Sequence, residues 1–169
     1  FSNKEMLNDP TSPKEEWDHE RYITIEDEYP VEDMVFDTYQ ETPELIKVVK
    51  NEVGTVRYHS ALLKSNCRVT SQPDWGDVYI TLEGEYAPDP VSLLEYIVSF
   101  RDECHFHEEI CEALYKRLLD SCKPDELVVR CLYARRGGID INPERYMPGS
   151  KQHHTLHDVT TAFIKTPKQ

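Results

Sequence analysis

Paired cysteines, long apolar runs and basic charge are scarce in this sequence. The five cysteines, at 67, 104, 111, 122 and 131, form an odd set with no CxxC spacing, which argues against a disulfide framework and against a paired zinc ligand set. No apolar stretch approaches the roughly eighteen residues of a membrane span, and no signal-peptide core is present. Together these absences predict a reduced, cytoplasmic setting with no membrane association. Lys and Arg number 19 against 32 Asp and Glu, a net charge of −13. The first fifty residues hold fourteen acidic residues against five basic ones. Phosphate backbones demand clustered positive charge, so no direct nucleic-acid contact is expected. A small anionic ligand needs only two or three local bases and stays allowed.

What is present is one domain's worth of patterned chain: 169 residues, 38% hydrophobic, with the apolar positions concentrated after about Val53. Residues 1–18 are polar and proline-broken and read as a flexible or linker segment. Residues 19–52 read as an acidic extension, with a strand over 21–26 and a helix over 45–50 introduced by Thr42-Pro43-Glu44. Residues 53–169 read as the main module. Residues 56–63 form a strand running into a turn at Cys67, and residues 77–86 alternate cleanly as a second strand. Apolar spacing predicts helices over about 92–102 and 106–121. Residues 126–135 make a third strand, Gly137-Gly138 turns the chain, and a fourth begins at Ile139. A short strand within 155–164 is optional. Strand, strand, helix, helix, strand, strand predicts an α+β layer, an antiparallel sheet with two helices on one face. Its open edges call for pairing with another copy or a sister module. The chain opens on Phe1, which reads as part of something larger.

Four sequence pieces carry chemistry. Asn66-Cys67 and Pro73-Asp74-Trp75-Gly76 place a thiol and a carboxyl seven residues apart around a turn. A thiolate attacks an electrophilic carbon, and a nearby acid supplies the proton the resulting anion needs. Cys67, ending a strand, is expected to be half-exposed and reactive; the other four cysteines are expected to be buried and inert. Asp74 reads first as a turn residue bonded to its own backbone, otherwise as an acid desolvated by Trp75. Phe106-His107-Glu108 opens the second helix. Glu108 there either complements the helix dipole or accepts paired N–H bonds from a guanine-like edge, with Phe106 stacking on the flat ring and His107 beside the reacting centre. Cys104, His107 and Cys111 share roughly one helical face but make a poor metal set, so no metal is expected. His153, His154 and His157 read as a solvated tail. Arg135-Arg136-Gly137-Gly138 reads as a charged β-bulge or as a clasp for a phosphate-bearing cofactor, the glycines letting a ligand near the backbone.

These pieces, in this order, resemble the NADPH-dependent 7-cyano-7-deazaguanine reductases of queuosine biosynthesis, nitrile reductases of the tunnelling fold. The likeness runs from about Ala61 to Pro143, over Leu62-Leu63-Lys64-Ser65-Asn66-Cys67, Gln72-Pro73-Asp74-Trp75, Val98-Ser99-Phe100-Arg101, Phe106-His107-Glu108 and residues 135–143. The resemblance implies a ββααββ tunnelling fold. It implies that Cys67 forms a thioimide with the substrate nitrile and that Asp74 donates the proton. By the same likeness His107 and Glu108 bind the deazaguanine, Phe106 packs on it, and Arg136 and Gly137 touch NADPH. One departure stands out. The family's Glu-Ser-Lys-Ser-Leu-Lys-like motif is replaced here by Pro88-Asp89-Pro90-Val91-Ser92-Leu93-Leu94-Glu95, which has lost the motif's glutamate and both lysines. In two-module members that motif sits in the N-terminal module, so this chain resembles the C-terminal one and is expected to need a second tunnelling-fold module and to form a homo-oligomer. Two other readings stay open: a relative that lets an amine attack the thioimide without NADPH, and a non-catalytic deazapurine-binding module.

Overall fold

A computed structural model describes residues 22–148. The elements are β1 (Ile23–Thr24), α1 (Ile25–Glu28), β2 (Val48–Lys50), β3 (Thr55–Asn66), β4 (Pro73–Glu83), β5 (Tyr86–Pro88), α2 (Pro90–Val98), α3 (His107–Cys122), β6 (Glu126–Tyr133) and β7 (Glu144–Tyr146). A five-stranded sheet runs in the order β1-β3-β4-β6-β7, and β2 and β5 form a separate two-stranded ladder. Every pairing is antiparallel except β1 with β3. The ββααββ order over β3, β4, α2, α3, β6 and β7 is the expected α+β arrangement.

Alternation explains the sheet's two faces. Val78, Ile80 and Leu82 of β4 and Leu127, Val129, Cys131 and Tyr133 of β6 join one core cluster with Leu93, Leu94 and Ile97 of α2 and Ile110, Leu114 and Leu118 of α3. The opposite face buries Tyr79, Val128 and Leu132 against Tyr22. Asp89 caps α2 by accepting the Ser92 N–H at 2.9 Å, with Pro90 in the first turn, which exploits the two groups a helix start tolerates best. The stretch that replaces the lysine-bearing motif is therefore occupied with starting a helix. α3 ends at Lys123, left-handed at φ 47, just before Pro124.

A bulge in β3 between Ser60 and Leu63 shifts the register against β4. One extra residue reverses which parity faces the helices. Tyr58 and Ser60 are buried before it, Leu63 and Ser65 after it, and Ser65 comes to lie opposite Asp74.

Several sequence expectations are corrected. The helix over 45–50 is a 3-10 turn at Pro43–Leu45 followed by β2; the β-branched pair Val48-Val49 takes the partner that β5 offers. The strand over 21–26 shrinks to β1 before the chain turns helical. The second strand starts at Pro73, four residues earlier than the alternation suggested, so Asp74 is a strand residue rather than a turn residue. Residues 139–143 run beside β6, with the Cys131 N–H on the Pro143 carbonyl at 3.0 Å, but regular strand begins only at Glu144. The linker at 1–18, the tail histidines and the optional strand at 155–164 lie outside the described residues. Ile25 and Ile46 of the acidic extension belong to the same core cluster as the helices.

Candidate functional site

Cys67 follows the last residue of β3 and is half-buried. Its N–H donates to the Gln72 carbonyl and its carbonyl accepts the Ser71 N–H, both at 2.8 Å. That closes a tight loop in which Ser71 takes φ 57. The Cys67 thiol is held below its ordinary pKa. The Thr70 hydroxyl is the main cause, joined by the backbone N–H groups of Thr70 and Val69 and the charge of Arg136. Hydrogen bonds to a thiolate favour the nucleophilic form.

Asp74, opposite Ser65 in the β3–β4 ladder and two residues past the Gln72 that closes this loop, is 5% exposed. Both Nε and Nη2 of Arg136 lie 2.5 Å from its Oδ1. His107 Nε2 is 3.1 Å from the same oxygen, yet the atom has no partner by hydrogen-bond angle. The distance marks proximity, and the proton is not aimed along it. His107 is buried and lies against Tyr133, ring centroids 4.1 Å apart. Burial pushes the Tyr133 phenol well above its ordinary value. Gly76 makes room for that ring, since a Cβ there would stand 3.1 Å from Tyr133 Cδ1.

Arg136 is the hub. Besides Asp74 it donates to Thr70 Oγ1 at 3.4 Å, Gln72 Oε1 at 3.3 Å and the Gln72 carbonyl at 3.3 Å. It stands beside Asp74 because β6 pairs with β4 up to Tyr133 and the Ala134 N–H donates to the Trp75 carbonyl at 2.8 Å, and the chain reverses after it. Arg136 and Ile139 exchange backbone hydrogen bonds at 3.2 and 3.0 Å around Gly137 at φ 58 and Gly138 at φ 80. Two consecutive positive φ values define a tight turn that glycines satisfy without strain. Arg135 forms a two-pronged pair with Asp140.

The start of α3 is brought to Cys67 by backbone pairing. The Asn66 N–H donates to the Glu103 carbonyl at 2.8 Å, and the His105 N–H to the Asn66 carbonyl at 3.1 Å. Phe106 is 45% exposed at the helix start. Its N–H donates to Glu109 Oε2 at 2.8 Å, which holds the Glu109 carboxyl below its ordinary value.

Asp74 thus meets both His107 and Arg136, and Arg136 reaches the Cys67 loop, while Phe106 and Glu108 are exposed at the start of α3, Glu108 bordering a groove shared with Glu112, Lys116 and Arg145. Gly137 stands at an open turn apex, where a Cβ would meet nothing within 4 Å. Trp75 is 43% exposed and belongs to the strand face opposite Asp74, so it does not desolvate the carboxyl; the helix side of the sheet does. Cys111, Cys122 and Cys131 are buried, but Cys104 is exposed and precedes α3 instead of sharing its face. Sequence reasoning missed Thr70, Tyr133 and the Asp74–Arg136 pair. Tyr133 was within reach, since it keeps the parity of Val129 and Cys131.

The open Gly137–Gly138 apex fits close approach of a cofactor. Both neighbouring guanidiniums are committed to carboxylates, however, and residues 88–95 supply no base, so the described residues around this turn offer little charge for cofactor phosphates. No helix among the described residues is long and apolar enough to cross a membrane.

Comparisons with known proteins follow the same lines. A family model described as QueF-like protein matches residues 73–158. Proteins named NADPH-dependent 7-cyano-7-deazaguanine reductase are 46% identical over 113 residues in Coxiella burnetii (strain RSA 331), 44% over 118 residues in Colwellia psychrerythraea and 42% over 118 residues in Bordetella avium. These alignments cover 67%, 68% and 70% of this chain but 40%, 41% and 43% of the relatives, so the chain spans about two fifths of the length of the curated relatives it matches. A solved archaeosine synthase QueF-Like structure in the apo form superposes with a TM-score of 0.55 at 16% identity, covering 59% of this chain and 99% of that one. That likeness shows the fold.

Proposed function

The chain belongs to the QueF-like protein family, and from that premise we propose that it is the cysteine-bearing module of a cytoplasmic NADPH-dependent 7-cyano-7-deazaguanine reductase. The observation that carries the reading is a half-exposed Cys67 with a lowered thiol pKa in the loop that ends at the buried Asp74. The Cys67 sulfur, its thiol proton passing to the Asp74 carboxylate, adds to the nitrile carbon, converting the C≡N triple bond into the C=N bond of a thioimide. The nitrogen gains negative charge and takes a proton from Asp74. His107 lies 3.1 Å from that carboxylate, beside the reacting centre. Phe106 stacks on the flat bicycle, and Glu108 receives the paired N–H edge of the purine-like ring. NADPH, when bound, supplies hydride to the same carbon. Gly137 offers it the open turn, and Arg136 contributes charge at the loop.

Residues 53–169 form the catalytic module on this reading, braced by 19–52. Phosphate-binding charge beyond what the described residues offer comes from a second tunnelling-fold module, and the edge strands β1 and β7 of the described sheet support a homo-oligomer. Intact-mass spectrometry after mixing the chain with 7-cyano-7-deazaguanine tests the reading. A single adduct, lost in Cys67→Ala, is expected. Absence of an adduct in the parent chain overturns it. Following NADPH oxidation with and without the second module then tests the dependence, which turnover by the chain alone would refute. An adduct that never consumes NADPH, even with both modules, would instead mark a relative that passes the thioimide to an amine.

A further inference from the structure

Arg68, the residue after Cys67, makes three contacts that the chemistry above does not use. Its guanidinium carbon stands 5.3 Å from the centroid of the Phe106 ring. Nη1 is 3.1 Å from Glu109 Oε1, and Nη2 is 3.3 Å from His105 Nδ1. Each partner is itself held. Glu109 accepts the Phe106 N–H through its other oxygen. His105 Nε2 lies 3.1 Å from Glu103 Oε2, and Glu103 Oε1 accepts the Glu41 N–H at 2.9 Å. The backbone of Asn66 pairs with Glu103 and His105 on the other side. Arg68 therefore closes a circuit from the Cys67 loop through the first turn of α3 and back to β3, with residue 41 of the acidic extension bracing it.

A single exposed ion pair is weak and pays side-chain entropy. Arg68 differs in that one guanidinium is shared among an aromatic face, a carboxylate already fixed by a backbone N–H, and an imidazole. With a cation over one face of Phe106, a planar ligand is left the opposite face. We propose, on the basis of the cysteine-module reading above, that Arg68 is a positioning residue for that site. It pins the Cys67 loop to the start of α3 and presents one face of Phe106 to a flat, uncharged heteroaromatic substrate at a fixed distance from the sulfur.

The test compares the parent chain with Arg68→Leu and Arg68→Lys. Leucine removes the guanidinium; lysine keeps the charge over the ring and loses the fork. Three readouts separate positioning from general damage. The concentration of 7-cyano-7-deazaguanine that half-saturates the Cys67 adduct should rise about fivefold in Arg68→Leu, with partial recovery in Arg68→Lys. Alkylation of Cys67 by iodoacetamide should stay within about twofold of the parent, because Arg68 is not among the groups that set the thiol's acidity. Hydrogen exchange at the amides of Cys67 and Ser71, which close the loop, should quicken in Arg68→Leu. Unchanged half-saturation in Arg68→Leu overturns the proposal, as does unchanged exchange at the two amides. An equal loss of iodoacetamide reactivity also overturns it, showing an effect on the sulfur itself. A parent chain that forms no adduct refutes the underlying function instead, and the exchange measurement then still decides whether Arg68 pins the loop.

Discussion

Replacing Asp74 by asparagine, alone and together with Arg136→Met, probes the pair at the centre of the site. The carboxylate is 5% exposed and shares Oδ1 between two Arg136 nitrogens at 2.5 Å and His107 Nε2 at 3.1 Å. Removing one partner of a fully buried pair costs about 3–5 kcal/mol because the other charge is left uncompensated. The Arg136 side chain is 29% exposed, so water takes up part of its charge in Asp74→Asn, and a loss of about 2 kcal/mol is expected. Arg136→Met strands the more deeply buried carboxylate and also frees Thr70 and Gln72, and should cost about 3 kcal/mol. The double variant strands neither charge and should fall short of the summed losses by about 1–2 kcal/mol. Urea unfolding at constant m reads all four corners of the cycle. Additivity within about 0.5 kcal/mol would refute the pair as a coupled unit. The catalytic arm is separate: in the proposed role of proton donor, Asp74 should be worth roughly a hundredfold to ten-thousandfold in nitrile turnover, measured with the second module present. Asp74→Asn with near-parental turnover would remove it from that role.

Three further outcomes are expected. Thr70→Val removes the main hydrogen bond to the Cys67 thiolate, so less thiolate exists at a given pH and the half-maximal pH for iodoacetamide alkylation moves upward; a downward or absent shift contradicts the loop as its cause. Tyr96→Phe deletes the hydroxyl that donates to Glu41 Oε1 at 2.8 Å, beside Arg117 Nε at 3.0 Å, and should cost about 1–2 kcal/mol in urea unfolding. No loss would mean that the acidic extension is not braced there. Gly76→Ala places a methyl against Tyr133 Cδ1 at 3.1 Å and the Leu132 carbonyl at 3.3 Å, so about 1–3 kcal/mol should be lost and nitrile adduct formation weakened through His107; full stability would show that the strand yields without moving the ring.

The family resemblance and the chemical candidates were legible because they are local in sequence. Cys67 ends a strand, Phe106-His107-Glu108 opens a helix, and Gly137-Gly138 marks a turn whatever surrounds it. The two long helices, α2 and α3, were readable within a few residues from apolar spacing, and β4 and β6 from alternation, since these periods follow from backbone geometry. Boundaries that depend on a partner were not readable. Val48 and Val49 became strand only because β5 lies beside them, and Asp74 joined β4 only because β3 extends to Asn66 alongside it.

Residue order alone determined which groups were available: a thiol, a carboxyl, an imidazole and a double arginine at set spacings on an α+β frame. Tertiary structure decided their relations. The bulge in β3 is invisible to a simple alternation count, yet it sets the parity that puts Ser65 on the helix side, opposite Asp74. The β4–β6 register, continued by the Ala134 N–H on the Trp75 carbonyl, brings Arg136 across more than sixty positions of chain to Asp74. Such contacts depend on register and chain reversal, and a side chain's identity carries no information about which distant group will face it once the sheet has closed.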